Sequence, residues 1–133
     1  MASNLKVAIA VANTALTAIA PSANNGYVDV YATSQPANPE TAPGGTALAT
    51  LQLGATAFGA ASGGVLTANA IAAVTIANSG TALWFRITQS DHTTPFYDGN
   101  VGTSSTDMVI GATALQAGAQ LTVSSLTFTL PAA

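Results

Sequence analysis

Charged side chains are scarce in this chain of 133 residues, which has two lysines or arginines and five acids, or 5% in all. In an ordinary soluble domain about a quarter of the residues are charged. Binding to nucleic acid or to an anionic membrane surface requires several clustered basic groups, so we expect neither partner. A surface so poor in charge resists aggregation weakly. We therefore expect it to be covered by copies of the same chain or by a larger assembly.

Cysteine is absent, which excludes a disulfide framework, a thiolate nucleophile and a thiolate metal site. The single histidine, His92, and the scattered aspartates lack the spacing of a zinc or calcium site. The pairs Gly44-Gly45 and Gly63-Gly64 lack the lysine of a phosphate-binding loop. We expect neither a metal nor a cofactor.

Residues 6–20 are predicted to form an amphipathic helix, with Ser3 or Asn4 as its cap and Pro21 just beyond its end. Its apolar residues recur at spacings of three and four, at Leu5, Ile9, Ala12, Leu16 and Ile19. A strand is the alternative, because apolar residues also alternate with alanines between positions 7 and 11. A cleaved leader is disfavoured by Pro21, which follows the small-residue triplet at 18–20.

The rest of the chain has the pattern of short strands separated by turns. Strands are predicted at 27–32, 48–53, 65–77 (one long strand or a bent pair), 82–89 and 120–130. Residues 33–45 contain three prolines and two glycines and must form a loop. We predict one domain, 1–133, with an N-terminal helix or arm at 1–20 and a β-sandwich core at 27–131. The fold class is mainly β, an antiparallel sandwich or barrel-like domain with a short N-terminal α-helix.

The last predicted strand contains a break in its alternation. Apolar residues occupy odd positions at first and even positions afterwards: Leu121, Val123, Leu126, Phe128 and Leu130. If both sets face the core, one residue must be extra near Ser124-Ser125, which predicts a β-bulge there.

Most of the chemically active residues lie in 82–102, which makes this segment the candidate active site. Ser90-Asp91-His92 has the residue types of a hydrolase triad, but a triad assembles from separate chain positions. We interpret it as a hairpin tip whose side chains bind turn amides, and Asp98-Gly99 as a turn or bulge. We predict no catalytic residue and no enzymatic activity. A hydrolase centred on His92 would need a cleft beside that side chain.

One constellation suggests a surface for partners. Trp84 and Arg86 share a face of one predicted strand, and Tyr27 and Tyr31 lie opposite the valines of another. These residue types are enriched at protein interfaces. One alternative is a second packed layer that buries them. Another is a sugar-stacking platform in a secreted carbohydrate-binding module.

The order of several segments resembles small virion structural proteins of tailed bacteriophages and prophages. The segments are VDVYATSQPANPETAPGGTALATLQL, FGAASGGVLTANAI, GTALWFRITQSDHTTPFYDGNVG and LTVSSLTFTLPA. In that family a strand ending in Tyr-Ser/Ala leads to a Gln-Pro-Ala loop, and a Trp/Tyr-Phe-Arg strand leads to an Asp-Gly hairpin. The similarity runs from about Val7 to Pro131, although His92 and Pro95 stand where family members more often have Asp-Gly and Thr.

The resemblance implies a non-enzymatic part of the virion, with no small-molecule substrate. A capsid decoration (cement) protein is the first expectation, and a tail or baseplate component is the second. The implied partners are copies of the chain itself and the major capsid protein or tail proteins.

Overall fold

The computed structural model describes residues 7–129. Within that range the helix α1 (Ile9–Ile19) leads into one turn of 3-10 helix, Ala20–Ala23. Short strands make up the remaining regular structure: β1 (Tyr27–Tyr31), β2 (Ala49–Gln52), β3 (Val65–Thr67), β4 (Val74–Thr75), β5 (Gly80–Thr81), β6 (Trp84–Thr88), β7 (Pro95–Gly102), β8 (Met108–Ile110), β9 (Ala114–Leu115), β10 (Gln120–Leu121) and β11 (Val123–Thr129).

Seven strands form one curled sheet in the order β2-β1-β6-β7-β8-β11-β3. Two small ribbons, β10-β4 and β5-β9, accompany it. All strand pairs are antiparallel except β7 with β8. The predicted class, a mainly β sandwich or barrel-like fold with one short N-terminal helix, is confirmed.

Alternation along the central strands separates a core face from a second face of the sheet. Val28 and Val30 of β1 are fully buried, as are Phe85 and Ile87 of β6. Because successive side chains in a strand point to opposite faces, the intervening residues project to the other side. Every residue of β6 is nonetheless buried, so the second face is also covered.

The predicted N-terminal helix exists but is only shallowly embedded. Of its apolar side, Ala12 and Leu16 are fully buried, whereas Ile9 and Ile19 are 43% and 36% exposed. The predicted core stripe is therefore wrong for these two isoleucines. Asn13 ties the helix down, because its side-chain oxygen accepts a hydrogen bond from the Gly64 N–H at 2.9 Å. The predicted caps and Leu5 lie outside the described residues.

The bulge predicted near Ser124-Ser125 is confirmed. The register of β11 against β8 shifts between Val123 and Ser125, so one residue is extra there. The segment 65–77 is a bent pair, β3 and β4. The predicted strand 120–130 is divided, because β10 pairs with β4 in a separate ribbon before β11 joins the main sheet.

The connection between β7 and β8 is short for a parallel pair. Such pairs usually need a crossover of a dozen or more residues, yet residues 103–107 suffice here. The loop is closed by reciprocal hydrogen bonds, in which the Asp107 N–H donates to Asn100 Oδ1 at 2.9 Å and the Asn100 N–H donates to Asp107 Oδ2 at 3.2 Å. Ser105 has a left-handed φ of 56°. The loop therefore returns the chain beside the strand it has just left.

Asp98-Gly99 is not a turn, which corrects the sequence-based interpretation. Both residues lie inside β7, where Gly99 pairs with Phe85 and Asp98 with Arg86. A Cβ at position 99 would stand 2.6 Å from Phe85 Cζ, far inside normal contact distance. Glycine is therefore needed because the phenyl ring occupies the space above it.

We expect Gly99→Ala to lower the free energy of unfolding by roughly 1–3 kcal/mol, because the methyl group overpacks a fully buried ring. Chemical denaturation of both proteins measures the difference. Gly44→Ala is the matched control, since a Cβ there meets nothing within 4 Å. Equal stability losses in the two variants would contradict the steric account.

Candidate functional site

A row of polar side chains crosses four strands on the second face of the sheet. Asp29 of β1 is in register with Thr50 of β2 and with Arg86 of β6, and Arg86 is in register with Asp98 of β7. Side chains directly opposite each other on one face interact. The register therefore places one guanidinium between two carboxylates.

Arg86 and Asp98 form a buried two-pronged ion pair. Arg86 Nε donates to Asp98 Oδ1 at 2.7 Å and Nη2 donates to Oδ2 at 2.9 Å. The two side chains are only 7% and 3% exposed. The hydrogen bond to Asp98 raises the pKa of Arg86 above its ordinary value. Nη2 also donates to the Asn38 carbonyl at 3.5 Å, which links the pair to the proline-rich loop.

The predicted interface residues are largely buried by the chain's own packing. Tyr31, Trp84 and Arg86 are 7%, 1% and 6% exposed, and Tyr27 is half-buried. The Tyr31 and Trp84 rings stack with their centroids 4.6 Å apart, and the Arg86 guanidinium lies 5.3 Å from the Trp84 ring centre. We therefore correct the prediction for Tyr31, Trp84 and Arg86: they belong to a packed layer, which was the alternative.

The burial of these side chains also argues against the sugar-stacking platform. Three coplanar exposed rings are not present, because Trp84 and Tyr31 cover each other and Tyr27 stacks on His92 with centroids 4.3 Å apart. Burial, together with the nearby Asp29 carboxylate, raises the pKa of the Tyr31 hydroxyl. These rings serve to hold neighbouring side chains in place.

His92 bonds to a carboxylate that sequence proximity does not suggest. Its Nε2 lies 2.9 Å from Asp29 Oδ2, while the other oxygen of Asp29 accepts from the Thr50 hydroxyl. The His92 backbone has a φ of 58°, a left-handed conformation that is uncommon outside glycine. The stack on Tyr27 and the bond to Asp29 together hold the imidazole in this position.

The predicted role of Asp91 at the hairpin tip is confirmed. Its Oδ1 accepts hydrogen bonds from the Thr93 and Thr94 N–H groups at 2.9 and 2.8 Å, and its Oδ2 accepts from the Thr94 hydroxyl. The bond from the Thr94 hydroxyl is the main cause that lowers the pKa of Asp91, followed by the backbone bonds. Asp91 therefore shapes the turn and does not pair with His92.

A cleft opens beside these residues, which is the one feature that a hydrolase centred on His92 would also need. Its volume is about 550 Å³. The floor is the second face of β1 and β6, one wall is the loop 33–45, and the opposite wall is the hairpin tip. Its lining residues are Asp29, Tyr31, Pro39, Glu40, Ala42, Pro43, Arg86, Thr88, His92, Thr93 and Pro95.

One residue that lines the cleft has a buried hydroxyl with unused hydrogen-bonding capacity. Thr88 is 4% exposed, and its Oγ1 is buried without a hydrogen-bond partner among the described residues. An unmade hydrogen bond at a buried group costs about 1–3 kcal/mol. Trp84 Nε1 is likewise buried without a hydrogen-bond partner among the described residues.

The chemical capacity of the site is limited. An imidazole oriented by a carboxylate can act as a base, but no serine or threonine hydroxyl in residues 7–129 is hydrogen-bonded to His92. Over the same range, no group of three or more His, Asp or Glu side chains could hold a metal ion. The arrangement offers hydrogen bonds and shape, with no assembled nucleophile.

Sequence reasoning missed the residues that complete the site. Asp29 lies on the face of Tyr27 and Tyr31 by simple alternation, but its partners Thr50 and His92 come from distant parts of the chain. Glu40 enters through the proline-rich loop. The alternation of Tyr27, Asp29 and Tyr31 was the available signal, because it put a carboxylate between two aromatic side chains.

Comparison with models of known protein families, with curated proteins and with solved structures gives no match. None of the helices within 7–129 has the length and apolar character needed to cross a bilayer.

We expect Arg86→Met to lower the free energy of unfolding by roughly 3–5 kcal/mol, because it leaves the Asp98 carboxylate buried without a counter-charge. The double variant Arg86→Met/Asp98→Leu should recover most of this loss, since it removes both charges. Urea denaturation of the two variants and the parent measures the coupling. A double variant no more stable than the single one would contradict the pairing.

Low pH should destabilise the hairpin tip, because it protonates the Asp91 carboxylate. Because its folded pKa lies below the ordinary 3.8, its contribution to stability is complete above pH 3.8. That contribution is lost as the pH falls through the lower folded pKa. Amide chemical shifts of Thr93 and Thr94 report the change, and Asp91→Asn should remove it. A transition at the same pH in Asp91→Asn would assign it to another group.

Proposed function

We propose that this chain is a non-enzymatic structural component of a tailed-phage particle, and that it acts as a capsid decoration protein. A tail or baseplate position is the alternative. The resemblance to virion proteins supports the proposal, as does the scarcity of charge over 133 residues. In this role the chain adds buried contact between shell subunits, and repetition over many copies makes weak contacts collectively strong.

The observation that carries the proposal is the exposed apolar content of α1. Ile9, Val11 and Ile19 are 43%, 59% and 36% exposed, and they lie on one helix of eleven residues. Single exposed apolar residues are normal on a protein surface. Here three of them are distributed around one short helix that has no charged residue, so a neighbour that packs against α1 buries apolar side chains and no charge.

The acidic residues also support association through uncharged contacts, because most of them are engaged within the chain. Asp98 pairs with Arg86, Asp29 binds His92, Asp91 caps its turn and Asp107 closes the β7–β8 loop. Contacts made by the remaining surface rest mainly on uncharged side chains and backbone groups. Such contacts depend little on salt, since screening acts mainly on exposed charges.

Binding of the purified chain to particle shells tests the proposal. Shells that lack the chain should take it up, and microscopy should locate it on the head surface. Val11→Lys and Ile19→Lys should each weaken uptake by about tenfold or more, because an ammonium group would be buried at the contact. The circular dichroism of both variants should match that of the parent, since both positions are exposed.

Gln116→Lys is the matched control, since it adds the same charge at an exposed position outside α1 and should leave uptake unchanged. Density on the tail instead of the head would favour the baseplate alternative. A chain that remains monomeric at high concentration and binds neither heads nor tails would rule out both.

A further inference from the structure

The cleft beside His92 is not needed for a contact made by α1. Its floor contains Asp29 and Arg86, and Glu40 reaches it from the loop 33–45. At about 550 Å³ it falls within the range of roughly 300–1,000 Å³ that ligand pockets occupy. The arrangement of donors, acceptors and charges in it indicates what kind of ligand it fits.

The charges of the cleft disfavour ionic ligands. Asp29 and Glu40 would repel phosphate or another anion. Asp98 already neutralises Arg86, so the guanidinium offers an anion little net attraction. An ammonium ligand supplies only donors, and it would leave the Arg86 donors in the same cleft unmatched. A neutral ligand meets neither obstacle.

The hydrogen-bonding groups of the cleft call for a ligand that both donates and accepts. Within residues 7–129 the Arg86 bonds use Nε and Nη2, so Nη1 is left as a donor. The carboxylates of Asp29 and Glu40 are acceptors, whereas the Thr88 hydroxyl is buried below the surface of the cleft. Vicinal hydroxyl groups match such a set, because each hydroxyl can donate to a carboxylate and accept from a guanidinium.

Apolar surfaces complete the match. Pro39 and Pro43 line one side of the cleft, Pro95 lies near the hairpin, and Tyr31 contributes to the floor. Ligand sites combine apolar lining with a few placed polar groups. The C–H faces of a pyranose ring suit the prolines, and its hydroxyl rim suits the polar groups.

We propose that this cleft binds a neutral carbohydrate, with room for one or two sugar rings, and that it does so without turnover. The proposal goes beyond the structural role in the particle and does not depend on it. The sugar enters between the loop 33–45 and the hairpin tip, edge-on to Arg86 and Asp29, and not on a flat aromatic platform.

Titration of the ¹⁵N-labelled protein with glucose, galactose, N-acetylglucosamine and maltose tests the proposal by NMR. Immobilised neutral oligosaccharides extend the panel to sugars at the ends of longer glycans. At least one sugar should give saturable shifts confined to amides around Asp29, Arg86 and His92. Glu40→Ala should weaken that binding tenfold or more, because it removes an acceptor of the cleft, and it should leave the fold intact because Glu40 is exposed.

Gln116→Ala is the matched control, since this exposed side chain does not line the cleft, and sugar affinity should not change. Inorganic phosphate and ethylammonium are the competing probes. Saturation by either ion without any sugar response would overturn the proposal, as would unchanged sugar affinity in Glu40→Ala. Shell uptake measured on the Glu40→Ala protein should equal that of the parent, so a failure here leaves the structural role untouched.

Discussion

A buried guanidinium cannot be left without a counter-charge, and this requirement organises the second face of the sheet. Arg86 lies in the middle of a cross-strand row, with Asp98 bound to it and Asp29 in register on its other side. Taking charges out of water costs several kcal/mol for each ion unless geometry and hydrogen bonds compensate for it. The two-pronged pair supplies that compensation only when β6 and β7 keep their register. A slip by one residue would separate the charges as well as invert the core pattern.

The groups packed around Arg86 also satisfy its buried charge. The Asn38 carbonyl reaches Nη2 from the proline-rich loop, and the Trp84 ring lies beneath the guanidinium. The loop therefore meets the second face of the sheet at Arg86, and the hairpin tip with His92 forms another wall of the cleft. The cleft is the space between them. The loop and the hairpin approach the row of polar side chains from different sides, and the cleft lies where neither of them covers the row.

Local pattern was sufficient to predict β1, β2, β6 and β11, but not β7, β8 or β9, and not which strands pair. Alternation identified β1 and β6, and the change of parity at Ser124-Ser125 predicted the bulge, because both depend on neighbouring residues. Asp98-Gly99 was misread because the dipeptide is typical of turns, whereas here the glycine makes room for the Phe85 ring. The bond from His92 to Asp29 was out of reach, since it requires knowing that β1 pairs with β6. The cleft depends on that same pairing.

The strand order also has a consequence for how the chain reaches its native state. The first strand, β1, gains its central neighbour only when β6 is available, and β3 pairs with β11 at the far end of the described chain. Topologies dominated by distant pairings fold slowly, because the entropy of closing long loops is lost before contacts reward it. During synthesis on the ribosome the apolar N-terminal half must therefore wait, exposed, for its partners. A chain stalled or cut before β11 would present unpaired edges that invite aggregation.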